Sequence, residues 1–119
     1  MTMSRLIQNN TSFLKLLLNS EDKAQQRALL QSITAEQLNA LGEIFYNLLN
    51  IVPLDRKGER MIKRKDKKRK LLQNLSLINK KTYNSRRKLL KSNKSMVFRI
   101  LLHFKDKLLQ LIDSQPLVA

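Results

Sequence analysis

Residues 56–70 read RKGERMIKRKDKKRK, and ten of the fifteen are Lys or Arg against one Glu and one Asp. From Lys63 to Lys70 no residue is apolar, so that stretch offers no face to a core. A helix polar all round is solvated, laced with ion pairs, or unstable alone. Two pairs at i,i+4 spacing, Glu59 with Lys63 and Asp66 with Lys70, contribute about 0.2–0.5 kcal/mol each, little against so much like charge. The segment needs something anionic outside the chain, and a partner carrying phosphates fits it best.

At 119 residues the chain has the length of one domain, or of a small domain with an appended arm. Two Gly, two Pro and many Leu, Lys, Asn and Gln residues predict an all-α protein rather than a β fold. With no Cys, a disulfide framework and a thiolate metal site are excluded. No apolar run approaches the roughly 18 residues of a membrane span, so no integral membrane association is expected. The first twenty residues are too interrupted by Gln, Asn and Lys to read as a signal-peptide core.

The charge is uneven. Residues 1–52 hold four Lys/Arg and four Asp/Glu, whereas residues 53–119 hold twenty basic residues against five acidic ones and carry the whole +15. That asymmetry predicts a neutral folding module beside a basic nucleic-acid-binding region.

Along the chain, Leu6/Ile7, Phe13/Leu14 and Leu17 recur at helical spacing after Met3, with Asn10 in the same stripe, and predict a helix over 3–18. Asn19 or Ser20 is placed to cap a second helix over about 21–32, with Glu21 and Asp22 in its first turn, where the helix dipole favours negative charge. Thr34 and Gln37 have capping-box spacing. Leu38, Leu41, Phe45, Leu48 and Val52 follow at alternating steps of three and four, so the helix over 34–51, closed by Pro53, is the expected core element. Asp55 is placed to cap a basic helix over 56–74. A second basic cluster, residues 80–94, accommodates a short helix near 83–91. Val97, Leu101, Phe104, Leu108 and Leu111/Ile112 mark a last amphipathic helix over 95–113, ended by Pro116. The expected organisation is a neutral three-helix module (1–52), a basic helical nucleic-acid-binding arm (53–94) and a C-terminal amphipathic helix (95–119).

Catalysis finds little support. The single His, His103, sits in an apolar helix, the nine carboxylates are scattered with no pairing suited to acid–base work, and neither a Gly-rich phosphate loop nor a metal-ligand spacing occurs. No enzyme activity, cofactor or metal is expected. Binding is better supported, because Lys and Arg along a helix neutralise backbone phosphates and release counterions. The main expected contacts are Lys63, Arg64, Lys65, Lys67, Lys68, Arg69 and Lys70, with Arg56, Lys57 and Arg60 before them. Lys80, Lys81, Arg86, Arg87, Lys88 and Lys91 form a secondary set. The composition suits phosphate contact over base readout, and Tyr83 alone makes no stacking platform. Residues 63–70 also have the composition of a nuclear localisation signal.

The order of these segments resembles a known family. QQRALLQSITAEQLNALGEIFYNLLN leads through IVPLDRKGERMIKRKDKKRKLLQNLS to KKTYNSRRKLL, which is similar to the small basic proteins of Maverick/Polinton-type elements and adintoviruses, themselves similar in character to adenovirus core proteins. The matching positions are Ala28-Leu29-Leu30, Ile33, Leu38, Ala40-Leu41, Glu43-Ile44, Asn47, Leu49, Pro53-Leu54 and the basic run, within about residues 25–90. The C-terminal third departs from that pattern: the family tends to a Gly-containing, Pro-rich apolar tail, and KSNKSMVFRILLHFKDKLLQLI reads as a helix. The resemblance implies a protein of the virion and host nucleus that binds or condenses packaged double-stranded DNA.

Three other readings use the same features. An RNA-binding, ribosome-associated protein uses the same charges. In a scaffold protein the stripes at 34–51 and 95–113 are buried in a partner or homodimer, with Leu38, Leu41, Phe45, Leu48, Leu101, Phe104 and Leu108 as the interface. Homo-oligomerisation is attractive because a short chain has difficulty burying three Leu-rich stripes alone. The third reading, binding to an anionic membrane surface, draws on the cationic and apolar faces of the last helix.

Overall fold

Two local signals fix where the central helix begins. The Gln37 N–H donates to Thr34 Oγ1 (3.1 Å) and the Thr34 N–H donates back to Gln37 Oε1 (3.0 Å), a reciprocal capping box that satisfies two backbone donors otherwise left orphaned. The helix that follows runs Ala35–Asn50, and Leu38, Leu41, Ile44, Phe45 and Leu48 along it are all buried.

A computed structural model describes residues 5–50, 54–62, 66–76 and 82–113, with the side chains of 66–68 outside the description. Among the described residues the fold is all-α, with no strand: α1 (Arg5–Asn9), α2 (Thr11–Leu18), α3 (Lys23–Gln31), α4 (Ala35–Asn50), α5 (Arg56–Ile62), α6 (Asp66–Ser76), α7 (Tyr83–Ser92), α8 (Lys94–His103) and α9 (Lys105–Asp113). Helix α4 is the hub. Helices α6, α1 and α7 pack directly on it, α7 also meets α6 and α8, and α9 meets α8 and α2. A Lys15–Asp113 ion pair of 2.6 Å joins α2 to α9 at the surface, a contact of about 0.2–1 kcal/mol at most.

Three helix boundaries differ from the sequence reading. The cap of α3 is Asp22, whose Oδ1 accepts from the Ala24 N–H (3.0 Å), rather than Asn19 or Ser20. The stripe over 3–18 is interrupted at Asn10, which is itself buried and whose Nδ2 donates to the Leu6 carbonyl (2.7 Å). Thr11 Oγ1 donates to the carbonyls of Ile7 and Gln8. Such side-chain competition for helix carbonyls is how Asn and Thr break helices. The terminal stripe is likewise divided, at Phe104, between α8 and α9.

The expected separation into module, arm and terminal helix does not correspond to separate cores. One buried cluster takes Phe45 and Leu48 from α4, Ile62 from α5, Leu71, Leu72 and Leu75 from α6, Leu90 from α7, and Val97, Leu101, Phe104, Leu108 and Ile112 from α8 and α9. The radius of gyration, 13.4 Å, is that of a single packed domain of about this length. The proposed partner interface is corrected by the same packing. Leu38, Leu41, Phe45, Leu48, Leu101, Phe104 and Leu108 are at most 3% exposed within one chain, because α4 is covered by α6, α1 and α7, α8 packs on α7 and α9, and all seven side chains belong to one buried cluster.

The start of the basic segment is pinned to the junction of α8 and α9. Asp55 caps α5 through its Oδ1, accepting from the Gly58 N–H at 2.7 Å, as its position predicts. Gly58 is buried because the Phe104 ring lies against it: a Cβ there would meet Phe104 Cε1 at 3.0 Å and Asp55 Oδ1 at 3.1 Å. A side chain at this position requires the Phe104 ring or the Asp55 carboxylate to give way by a few tenths of an ångström. Gly58→Val is therefore expected to destabilise the protein by about 1–3 kcal/mol through overpacking, read as a lowered urea midpoint. An unchanged midpoint would show that Phe104 does not seal this junction.

Candidate nucleic-acid interface

Helices α5 and α6 are two-sided. Ile62, Leu71, Leu72 and Leu75 turn into the core, and Arg56, Lys57, Arg60, Arg69 and Lys70 face solvent. The apolar ends that the sequence shows around the charge run thus anchor the segment, and the charges occupy its outer side. Among the described residues, none of these five cations has an ion-pair partner. Lys63, Arg64 and Lys65 lie outside the described residues, as do Lys80 and Lys81; Lys67 and Lys68 belong to α6, with side chains outside the description.

In α7, Thr82 caps the helix, its Oγ1 accepting from the Ser85 N–H (3.2 Å), and the basic residues divide by face. Lys88 is exposed and Lys91 half-buried. Arg87 is half-buried and its Nη2 donates to the Gln31 carbonyl at the end of α3 (2.7 Å). Arg86 is placed otherwise than the sequence reading expects: it is only 3% exposed, and its Nη2 donates to Asn39 Oδ1 on α4. Its Nε and Nη1 have no hydrogen-bond partner, and burial lowers its pKa from the usual guanidinium value. A guanidinium so enclosed holds α7 to α4 and does not reach a phosphate on the surface. Tyr83 has a similar role, its hydroxyl donating to the Ile33 carbonyl between α3 and α4.

The helical period carried a signal for this that charge alone obscures. Tyr83, Arg86 and Leu90 stand at i, i+3 and i+7, one face of a helix, and all three turn inward. The prediction separates Arg86 from its neighbours. Arg86→Met keeps much of the stem's packing and removes a buried charge that has no carboxylate partner, so its unfolding midpoint is expected to match or exceed that of the native chain. Its affinity for duplex DNA is expected to stay within about threefold, the sequence-independent term being set by exposed charge. A large loss of affinity at full stability would return Arg86 to the contact set.

Other chemistry has little material. Among the described residues no group of three or more His, Asp or Glu is arranged to hold a metal ion. His103 is exposed, its ring edge-on to Phe104 with centroids 4.6 Å apart. No described helix is long and apolar enough to cross a membrane. What the described surface of α5, α6 and α7 offers is a set of uncompensated cations on helices fixed to a core. Compared with models of protein families, with curated proteins and with solved structures, the chain has no match.

Proposed function

We propose that the chain is a non-enzymatic protein that binds and condenses double-stranded DNA, largely without regard to sequence, by neutralising backbone phosphates along the outer faces of α5, α6 and the exposed side of α7. The observation that carries this reading is the pairing of exposed Arg56, Lys57, Arg60, Arg69 and Lys70, without an ion-pair partner among the described residues, with an inner face of Ile62, Leu71, Leu72 and Leu75 in the core. An anchored helix presents its charges at fixed spacing, so less ordering entropy opposes binding than for a free tail. Phosphate contacts position a protein on the duplex and carry no direct sequence information. The resemblance over residues 25–90 extends the proposal to a core protein of a virus or mobile element, acting in the virion and the host nucleus.

The reading in which the Leu-rich stripes bind a partner loses support, since those residues are enclosed within one chain. The RNA-binding reading uses the same cations and is decided by competition. Labelled random-sequence duplex DNA is bound by the full chain and challenged with structured RNA of equal length or with duplexes of different sequence. The expected result is equal displacement by every duplex and weaker displacement by RNA. Preferential displacement by RNA would overturn the choice of DNA.

A further inference from the structure

A second cationic surface lies away from the basic run, where α3 faces α8. Lys23 and Arg27, one turn apart on α3, converge with Lys94 and Arg99 of α8 around a hollow of about 460 Å³, beside Gln26, Ser95 and Phe98. All four cations are exposed, and among the described residues none has an ion-pair partner. An adjoining hollow of about 360 Å³ shares Gln26, Ser95, Phe98 and Arg99 and continues past Leu18 to Leu102. The two form one groove, cationic where Lys23, Arg27, Lys94 and Arg99 meet and lined at its other end by Leu17, Leu18, Leu101 and Leu102 together with exposed Glu21. Leu102 is 60% exposed, the most exposed of the large apolar side chains described. The polar residues there are partly engaged, with Gln26 Nε2 donating to the Ser20 carbonyl (3.0 Å). Lys23 and Arg27 come from the half of the chain whose net charge is zero, so sequence asymmetry gives no hint of this site.

We infer that the α3–α8 groove is a docking site for an acidic, amphipathic peptide segment of a partner protein, its carboxylates on Lys23, Arg27, Lys94 and Arg99 and its apolar side chains over Phe98 and Leu102. Four like charges converge without an acid in the wider hollow, a field that favours an anionic occupant. A second copy of this chain, at +15, has the wrong sign. A duplex backbone matches the cations but has nothing to bury against Phe98 and Leu102. An amphipathic helix laid between two helices supplies both, with anchors at i, i+3, i+4 and i+7. Helix α8 has ten residues, a length of about 15 Å, which suits an acidic helix of about three turns.

The test uses the full chain and a labelled, end-capped peptide of about twelve residues, Glu on one face and Leu and Phe on the other. A control peptide carries the same Glu residues with Ser in place of Leu and Phe. At a physiological ionic strength of about 0.15 M, where exposed charges are screened, the first peptide is expected to bind at least about tenfold more tightly than the control. The double variant Arg27→Glu/Arg99→Glu is expected to lose about thirtyfold and Leu102→Ser about fivefold. Exchange of the seven Lys/Arg residues of 63–70 for Gln is expected to change peptide affinity less than about threefold. The altered groove side chains are exposed, so folding is checked by an unchanged helix signal, and Arg27→Gln/Arg99→Gln serves if the charge reversal perturbs it. Equal binding of both peptides, or loss in the 63–70 variant with none in the groove variants, would reduce the effect to charge capture by the basic run and overturn the inference. Groove substitutions that weaken a single-stranded oligonucleotide and spare the peptide would also overturn it, assigning the groove to nucleic acid.

Discussion

Phe45→Ala is expected to lower the thermal midpoint by about 12–20 °C, from a loss of about 3–5 kcal/mol at roughly 4 °C per kcal/mol for a chain of this size. Phe45 is fully enclosed on α4, the helix on which α1, α6 and α7 pack. Its removal therefore opens a cavity in a buried cluster that takes side chains from both the neutral and the basic halves of the chain. Against a typical net stability of about 5–15 kcal/mol, that loss takes most of the margin. Since the core is one cluster, the helix signal of α6 is expected to melt together with that of α4. A shift below about 5 °C, or a basic segment that melts separately, would contradict a shared core.

The largest effect on binding is expected from replacing Lys63, Arg64, Lys65, Lys67, Lys68, Arg69 and Lys70 with Gln. Each lost phosphate contact reduces the salt slope by about one, so the seven exchanges are expected to remove most of the slope and more than about a hundredfold in affinity at 50 mM salt. Folding is expected to survive, because the segment's hold on the core comes from Ile62, Leu71, Leu72 and Leu75, and removing like charges relieves repulsion. A helix signal equal to the native one, combined with lost binding, is the expected pair of results. Unchanged affinity would remove residues 63–70 from the function.

Much of the local structure was legible in the residues. The Thr34–Gln37 box, the stripe from Leu38 to Leu48 and the Asp55 cap each follow from a spacing and are found where that spacing places them. Breaks at Asn10 and Phe104 were not, since apolar periodicity runs through both positions and the Asn10 side chain competes with the helix only once it is folded there. Which stripe packs on which helix is a tertiary fact, and so the leucines that looked available to a partner prove to be buried within one chain. The anchoring of α6 follows from Leu71, Leu72 and Leu75, apolar positions that the sequence shows at the end of the charge run. The inward Arg86 and the convergence of Lys23 and Arg27 with Lys94 and Arg99 required the packing of distant helices. Exposure of Arg56, Lys57, Arg60, Arg69 and Lys70 follows the sequence reading, because a run that rich in charge has no interior large enough to take it.

Binding through phosphate neutralisation is measured most directly by the affinity of the unaltered chain for random-sequence duplex DNA between 50 and 200 mM salt. With roughly 6–10 phosphates contacted, log K is expected to fall linearly with log salt at a slope of about −5 to −9, a loss of about 10³–10⁵ across that range. A slope near zero, or affinity that holds across the range, would contradict the account and leave the outer faces of α5 and α6 without the role proposed for them.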